Sequence, residues 1–156
     1  MLDQLARGTR VINIDQSWLS ETCFQRRRWR RRGQVNSMDE KPVHPRIAML
    51  MAIDTDGKIY LSLTQTNTDH KVFCMFLTHL TRKLTAERPN WRDSCLFLCD
   101  GAKYQTCAES RRHMEHLGMR VCISAPYSYA AAPIELAFAH FKSTELNPEK
   151  AKTGKK

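Results

Sequence analysis

Long hydrophobic runs are absent from this sequence, and its N-terminus has no apolar core of a signal peptide. A membrane-spanning helix needs about 20 consecutive apolar residues, and no segment approaches that length. We therefore expect no membrane partner and no secretion. The expected location is the nucleus if the host is eukaryotic and the cytoplasm otherwise.

A regular cysteine framework is also missing. Six cysteines occur among 156 residues, and their spacing is typical neither of a disulfide scaffold nor of a zinc site. Cys95 and Cys99 lie along one predicted strand, where their spacing suits core packing. We expect reduced thiols and no structural zinc.

Acidic residues are scarce relative to basic ones, with 16 Asp and Glu against 25 Lys and Arg and a formal net charge of +9. This balance favours a polyanionic partner, although charge alone does not separate nucleic acid from a membrane surface. The hydrophobic fraction of 42% argues against wholesale disorder. The length suits one domain without internal repeats, which we place at residues 1–147, followed by a basic, disordered tail at residues 148–156.

The apolar periodicity predicts antiparallel strands first and alternating strands and helices afterwards. Asp54-Thr-Asp-Gly57 between two apolar runs is a strong β-hairpin signal. Thr106-Cys-Ala-Glu109 has the form of a helix-capping box. The predicted strands are residues 10–15, 47–53, 59–63, 95–100 and 119–124, and the predicted helices are residues 69–87, 106–118 and a last one from Pro133.

Two aspartates close two of the predicted strands. Asp15 ends the first strand and Asp100 ends the strand at residues 95–100. If these strands are parallel neighbours, about 4.8 Å apart, both carboxylates occupy one small volume at the sheet edge. Glu135, in the first turn of the last helix, would approach from a third side. Each acid alone is more typical of a turn, a cap or a helix start, so only their combination indicates a site.

Three such carboxylates are what a two-metal phosphoryl-transfer site needs. Like charges at short range repel unless a cation or a proton lies between them. Mg²⁺ or Mn²⁺ fits, because these hard ions prefer oxygen ligands and need only one or two carboxylates each. Two ions roughly 3.5–4 Å apart can activate a nucleophile and stabilise the leaving oxygen of an in-line displacement.

Three segments carry a resemblance to a known family: Ile12-Asn-Ile-Asp15-Gln-Ser, Leu96-Phe-Leu-Cys-Asp100-Gly-Ala, and Ala125-Pro-Tyr-Ser128 with Pro133-Ile-Glu135. Together they resemble the catalytic domain of DDE transposases of the mariner superfamily. In that family the third segment typically reads Pro-Pro-Tyr-Ser-Pro, two variable residues, then Asn-Pro-Ile-Glu. The 34 residues between Asp100 and Glu135 are also the spacing of the superfamily. The match extends over about residues 9–147.

The resemblance implies an α/β, RNase H-like fold with a mixed central sheet of about five strands and flanking helices. It implies that Asp15, Asp100 and Glu135 are catalytic residues and ligands of two Mg²⁺ or Mn²⁺ ions. The implied activity is nicking at transposon ends followed by strand transfer into target DNA. The family usually works as a dimer on DNA, so a homodimer is implied as well. We expect the family's N-terminal helix-turn-helix region to be missing here.

Several positions depart from the family pattern. The family often has Glu after the first Asp, Asn after the second Asp, and His four positions beyond that Asn; this chain has Gln16, Gly101 and Gln105. In the last motif Ala125, Tyr129 and Ala132 replace Pro, Pro and Asn. Residues that orient metal ligands affect metal affinity. These departures leave open a catalytically decayed or domesticated DNA-binding protein.

Further residues are candidates for DNA contact. Six arginines surround Trp29 and are interpreted as a phosphate-binding strip or a nuclear import signal, with a solvated face as the alternative. Tyr127 could stack on a base or could only fix its loop. Lys142 lies two turns beyond Glu135 and is either a DNA contact or a solvated lysine. The six arginines are Arg26, Arg27, Arg28, Arg30, Arg31 and Arg32.

Two rival functions also stay open. One is another RNase H-like nuclease, acting on RNA–DNA hybrids or four-way junctions, against which the Pro133-Ile-Glu135 segment argues. The other is a non-enzymatic basic interaction module. That hypothesis requires Asp15, Asp100 and Glu135 to lie far apart in space.

Overall fold

The computed structural model describes residues 8–19, 47–124 and 133–143. They form five strands and five helices, bounded as follows. The strands are β1 (Arg10–Leu19), β2 (Ile47–Asp54), β3 (Ile59–Thr64), β4 (Cys95–Cys99) and β5 (Val121–Ile123). The helices are α1 (His70–Glu87), α2 (Trp91–Ser94), α3 (Lys103–Thr106), α4 (Ala108–His116) and α5 (Pro133–Ser143).

The five strands form one mixed sheet in the order β3-β2-β1-β4-β5. β1 pairs antiparallel with β2 and parallel with β4, while β2 and β3 form the predicted antiparallel hairpin. β5 extends the parallel half of the sheet beside β4. The mixed sheet with flanking helices confirms the predicted fold class.

The two faces of the sheet bury different sets of side chains, because successive residues of a strand point to opposite faces. On one face, Ile12 and Ile14 of β1 and Phe97 of β4 pack with α1, and Trp91 stacks edge-on against Phe97. The opposite face carries α5. There the α5 cluster, defined by Met49, Met51, Ile134 and Phe138, is fully buried.

The β2–β3 hairpin is held by one buried aspartate. The Asp54 carboxylate accepts hydrogen bonds from the backbone N–H groups of Asp56 (2.9 Å) and Lys58 (2.8 Å). It also forms an ion pair with Arg10, whose side chain is almost completely buried at the start of β1. Gly57 takes the positive φ of 79° that the turn requires. The hairpin signal read from Asp54-Thr-Asp-Gly57 is therefore confirmed.

The predicted long helix is confirmed as α1, and the predicted glycine-terminated end of the later helix is confirmed at α4. The Asp69 side chain caps α1 by accepting the Val72 N–H at 2.9 Å. At the end of α4, Gly118 adopts a φ of 71°, and the N–H groups of Gly118 and Met119 bond to the carbonyls of Glu115 and Met114. This pattern is a Schellman motif, as the glycine predicted.

Two local predictions are wrong. Thr106 does not cap α4: it is the last residue of α3, and its hydroxyl donates to the Ala102 carbonyl at 3.1 Å. Cys107 precedes α4 and makes no side-chain capping bond. The first strand does not end at Asp15 but continues to Leu19, because residues beyond Asp15 keep pairing with β2. Within the described part of the chain, no helix is both long and apolar enough to cross a membrane.

Candidate active site

Asp15 and Asp100 follow the last residue pair of the parallel β1–β4 ladder. That pair is Ile14 with Cys99, so the next residue on each strand is an aspartate. Adjacent parallel strands lie about 4.8 Å apart, and equivalent positions face the same side of a sheet. The two aspartates therefore come together at one edge of the sheet, as their positions in the sequence predict.

At Asp15 the strand β1 is still paired with β2 but no longer with β4. It pairs with Met51 on β2, while β4 has already ended at Cys99. The side chain is half-buried, and one carboxylate oxygen accepts the Gln16 N–H at 2.6 Å. Asp100 is exposed at the start of the following loop. One side of Asp15 is thus built into the sheet, and the other faces the opening beyond β4.

The charges of Asp100 and Glu135 act on Asp15. Burial raises the pKa of Asp15 from 3.8 to about 6, the Gln16 N–H opposes this rise, and the negative charges of Asp100 and Glu135 add to it. Both charges act in the direction expected of like charges near a carboxylate, because they disfavour its ionised form. This arrangement does not favour the interaction module, which requires the three acids to lie far apart.

Glu135 is carried to this neighbourhood by the first turn of α5. Ile134 and Phe138 of α5 are buried against Met49 and Met51 of β2, which fixes the apolar side of the helix on the sheet. Glu135 lies between the two buried residues in sequence and is exposed. The 3.6-residue period of the helix therefore directs Glu135 away from the apolar contact.

The loop after Asp100 is held by Gln105. Gly101 has a φ of 85°, and its N–H donates to the side-chain oxygen of Gln105 at 3.1 Å. Gln105 is fully buried, and its amide nitrogen donates to the Tyr104 hydroxyl at 3.2 Å. The Ala102 N–H in turn donates to the Asp100 carboxylate at 3.2 Å. The two departures from the family pattern in this loop thus stabilise the turn that presents Asp100.

The positive φ also explains why glycine can stand at position 101. Glycine and asparagine are the residue types that most readily adopt the left-handed conformation. A Cβ at this position would lie 2.9 Å from the Ile123 side chain, closer than side chains normally approach. Gly101 therefore keeps the backbone conformation that asparagine tolerates, while allowing β5 to pack closely.

The donor set fits a hard divalent cation, because it consists of carboxylate oxygens whose mutual repulsion a cation would relieve. The geometry is more open than a formed metal cage. Among residues 8–19, 47–124 and 133–143, no three His, Cys, Asp or Glu side chains converge closely enough to hold a metal ion. Metal binding therefore requires Asp15, Asp100 and Glu135 to turn toward a common point.

Of the residues predicted to contact DNA, the structure describes Lys142 alone. The Lys142 ammonium donates to the Ser17 hydroxyl at 2.6 Å, so this lysine connects α5 to β1. Tyr127 and the six arginines lie outside the described residues, and their predicted DNA contacts stay predictions. These arginines are Arg26, Arg27, Arg28, Arg30, Arg31 and Arg32.

Sequence reasoning missed one polar residue beside the acids. Asn13, two residues before Asp15, is buried and bonds to both β4 and α5. Asparagine is depleted in strands, so its presence within an apolar strand could have indicated a buried polar residue with a specific role. Buried polar side chains require partners, but the sequence pattern does not reveal which distant backbone groups supply them.

The family model described as DDE superfamily endonuclease matches residues 10–156. No curated protein matches the sequence. One similar solved structure is the Mos1 mariner paired end complex with Mn, at 22% identity and a TM-score of 0.67; the alignment covers 91% of this chain and 46% of that one. Another is the catalytic domain of Mos1 mariner transposase, at 20% identity and a TM-score of 0.65, covering 98% of this chain and 76% of that one.

A third similar structure contains the Mos1 transposase catalytic domain with Raltegravir and Mn, at 20% identity and a TM-score of 0.66, with 99% of this chain and 68% of that one covered. The chain spans about half the length of the Mos1 chains in the paired end complexes. The TM-scores of 0.65 to 0.67 show a shared fold, and at identities this low they show the fold alone. They confirm the predicted RNase H-like fold.

Proposed function

The chain belongs to the DDE superfamily endonucleases, and from this membership we propose that it is a transposase catalytic domain. The proposed reaction is cleavage of DNA strands followed by strand transfer, with two divalent metal ions. One observation carries the proposal: Asp15 and Asp100 directly follow the last residue pair of the parallel β1–β4 ladder.

Asp15, Asp100 and Glu135 would hold the ions, which are Mg²⁺ or Mn²⁺. The cation supplies charge neutralisation and activation of a water or 3′-hydroxyl when it is bound. The chain's own contribution is to place oxygen ligands from β1, β4 and α5 around one volume. The three side chains would have to turn toward a common point, while the parallel ladder holds the backbone that precedes Asp15 and Asp100 and the packing of α5 holds that of Glu135.

DNA is the proposed partner. One similar structure is the Mos1 transposase paired-end complex with the left transposon end, and another is the Mos1 strand transfer complex. For this chain the net charge of +9 supports binding to a polyanion. We assign phosphate contact to the arginines between residues 26 and 32, and base or sugar contact to Tyr127. Binding of transposon ends and target DNA by a homodimer completes the proposal.

The domain limits and location complete the proposal. Residues 1–147 form the catalytic domain, and residues 148–156 form a basic tail that adds non-specific affinity for DNA. In a eukaryotic host the arginines at residues 26–32 would also direct nuclear import. Lys142 is assigned first to its bond with Ser17, and a DNA contact would have to compete with that bond.

Nicking of supercoiled plasmid DNA tests the proposal. Wild type would be compared with Asp100→Asn and Glu135→Gln, which remove charge with little change in shape, in the presence of Mg²⁺ or Mn²⁺. The control is Asp93→Asn, an exposed acid on α2. We expect wild type and the control to nick only with metal, and the two site variants to be inactive.

Three results would count against the proposal in different ways. Nicking that persists in both site variants would remove Asp100 and Glu135 from the chemistry. Metal-dependent DNA binding without any nicking would favour the inactive, domesticated alternative. Activity on RNA–DNA hybrids or four-way junctions in preference to duplex DNA would instead favour the other RNase H-like nucleases.

A further inference from the structure

We propose that Asn13 is a positioning residue that fixes α5, and with it Glu135, against Asp15 and Asp100. The proposal rests on the proposed function of the three carboxylates as the metal site. Asn13 itself is not assigned a catalytic role, because its amide nitrogen and its amide oxygen are each bonded to a backbone group of another element. Its role is to set the distance between elements that carry the acids.

Asn13 makes two hydrogen bonds that join three elements. Its amide nitrogen donates to the Leu98 carbonyl of β4 at 3.2 Å, and its amide oxygen accepts the Ile134 N–H of α5 at 3.3 Å. Only 5% of the residue is exposed. Asn13 is therefore a buried polar side chain with defined partners on both sides.

The partners of Asn13 lie next to the acids in sequence. Asn13 precedes Asp15 by two residues, Leu98 precedes Asp100 by two, and Ile134 immediately precedes Glu135. The Asn13 side chain thus links its own segment to the two other chain segments that carry a candidate metal ligand. A shift of α5 relative to β1 would move Glu135 and would break the Asn13 bond to Ile134.

The bond to Ile134 also satisfies a helix end. The first four N–H groups of a helix have no partner within the helix, and the Ile134 N–H is in the first turn of α5. Its acceptor comes from a residue 121 positions away in the sequence. A capping residue next to the helix would fix only the local backbone, whereas Asn13 ties the helix end to the sheet.

A second bond holds the other end of α5. The Lys142 ammonium donates to the Ser17 hydroxyl at 2.6 Å. Four residues of strand from Asn13 to Ser17 span about 13 Å, and eight residues of helix from Ile134 to Lys142 span about 12 Å. The two attachments have matching spans and lie on either side of Asp15. Together they allow α5 to run along β1 in one register.

The apolar contacts of α5 cannot set this register alone. Ile134 and Phe138 pack on Met49 and Met51, but hydrophobic burial is non-directional and tolerates small sliding movements. Hydrogen bonds weaken steeply with distance and angle. The apolar packing of the α5 cluster thus stabilises α5 on the sheet, and the Asn13 hydrogen bond to Ile134 sets the position of α5 along β1.

The test compares Asn13→Leu, which keeps the approximate shape and removes both bonds, with Asn13→Thr, which suits a strand and offers one hydroxyl. The control is Thr81→Val on α1, a buried hydroxyl that donates to the Leu77 and Thr78 carbonyls on the other side of the sheet. The measurements are the Kd for Mn²⁺ by calorimetry, hydrogen exchange of the peptide containing α5, and thermal unfolding.

We expect Asn13→Leu to raise the Mn²⁺ Kd by about tenfold or more, as is typical when a group that orients metal ligands is lost. Hydrogen exchange in α5 should become faster, and Asn13→Thr should fall between Asn13→Leu and wild type. Thr81→Val should lower the unfolding temperature while leaving the Mn²⁺ Kd and the exchange of α5 unchanged.

A wild-type Mn²⁺ Kd in folded Asn13→Leu, or in Asn13→Thr if Asn13→Leu does not fold, would overturn the proposal. Absence of Mn²⁺ binding by wild type would instead contradict the proposed function. In that case the exchange of α5 still decides the positioning role, since unchanged exchange in the Asn13 variants would overturn it and faster exchange would support it.

Discussion

Ile14 of β1 and Cys99 of β4 form the last pair of the parallel ladder, and each is followed by an aspartate. From this pair onward the two strands behave differently: β4 ends, while β1 continues to Leu19 against β2. Asp15 is therefore held in a continuing strand, and Asp100 begins a loop. The proposed metal site would therefore take one oxygen ligand from a continuing strand and one from a constrained loop.

The raised pKa of Asp15 predicts a stability change with pH in metal-free protein. Between pH 3.8 and about 6 the folded state retains a proton that the unfolded state has lost, so stability falls as pH rises through this window. Asp15→Asn removes this penalty. Urea unfolding with a chelator at neutral pH should show the variant more stable by about 1–2 kcal/mol, after allowance for solvent screening.

The same unfolding measurement at lower pH supplies the control. Since protonated Asp15 and an asparagine are both neutral, the difference between wild type and Asp15→Asn should shrink steadily below about pH 6. A difference that is independent of pH would show that Asp15 is not the group responsible.

Gly101→Ala should be more destabilising than Gly57→Ala. Both glycines have positive φ angles, 85° and 79°, so both substitutions introduce left-handed strain. A Cβ at Gly57 meets nothing within 4 Å, whereas a Cβ at Gly101 meets Ile123 at 2.9 Å. We expect losses of about 1 kcal/mol for Gly57→Ala and about 2–4 kcal/mol for Gly101→Ala. Equal losses in urea unfolding would show that β5 moves aside freely.

Gln105→Met should loosen the loop that presents Asp100. The substitution keeps the volume but removes the acceptor of the Gly101 N–H, and we expect a stability loss of about 1–2 kcal/mol. Weaker Mn²⁺ binding should accompany it. Gln105→His is the matched variant, because a ring nitrogen can accept the same N–H, and it should bind Mn²⁺ more tightly than Gln105→Met. Identical binding by both variants would contradict this role of Gln105.

Arg10→Met should be strongly destabilising, because it leaves the Asp54 carboxylate buried without its ion-pair partner. Breaking a buried pair in this way costs about 3–5 kcal/mol. Adding Asp54→Asn should recover part of the loss, since an asparagine oxygen can still accept from Asp56 and Lys58. Chemical denaturation of the single and double variants measures this, and a double variant less stable than Arg10→Met would contradict it.

The elements that the sequence predicted correctly are those with strong local signals. Asp54-Thr-Asp-Gly57 specifies its turn, and Asp69 caps α1 within the same segment. The continuation of β1 beyond Asp15 was missed because Gln16 and Ser17 are polar, and pairing with β2 overrides the local pattern. Thr106 failed as a cap because a one-turn helix, α3, ends at that residue.

For the site, spacing and resemblance were sufficient to propose Asp15, Asp100 and Glu135, and the first two directly follow a residue pair of the parallel ladder. The supporting residues could not be found in this way. Asn13 acquires its role only through backbone groups 85 and 121 residues distant. Such contacts depend on the packing of whole elements, which a single sequence does not display.

The most direct test is a crystal structure of the protein grown or soaked with Mn²⁺, analysed by anomalous scattering. We predict anomalous peaks bounded by the carboxylates of Asp15, Asp100 and Glu135, with Mn–O distances of about 2.1–2.3 Å for a hard cation bound by oxygen. Mn²⁺ bound elsewhere, or no peak beside Asp15 in crystals that contain ample Mn²⁺, would contradict the assignment of these three residues as the metal site.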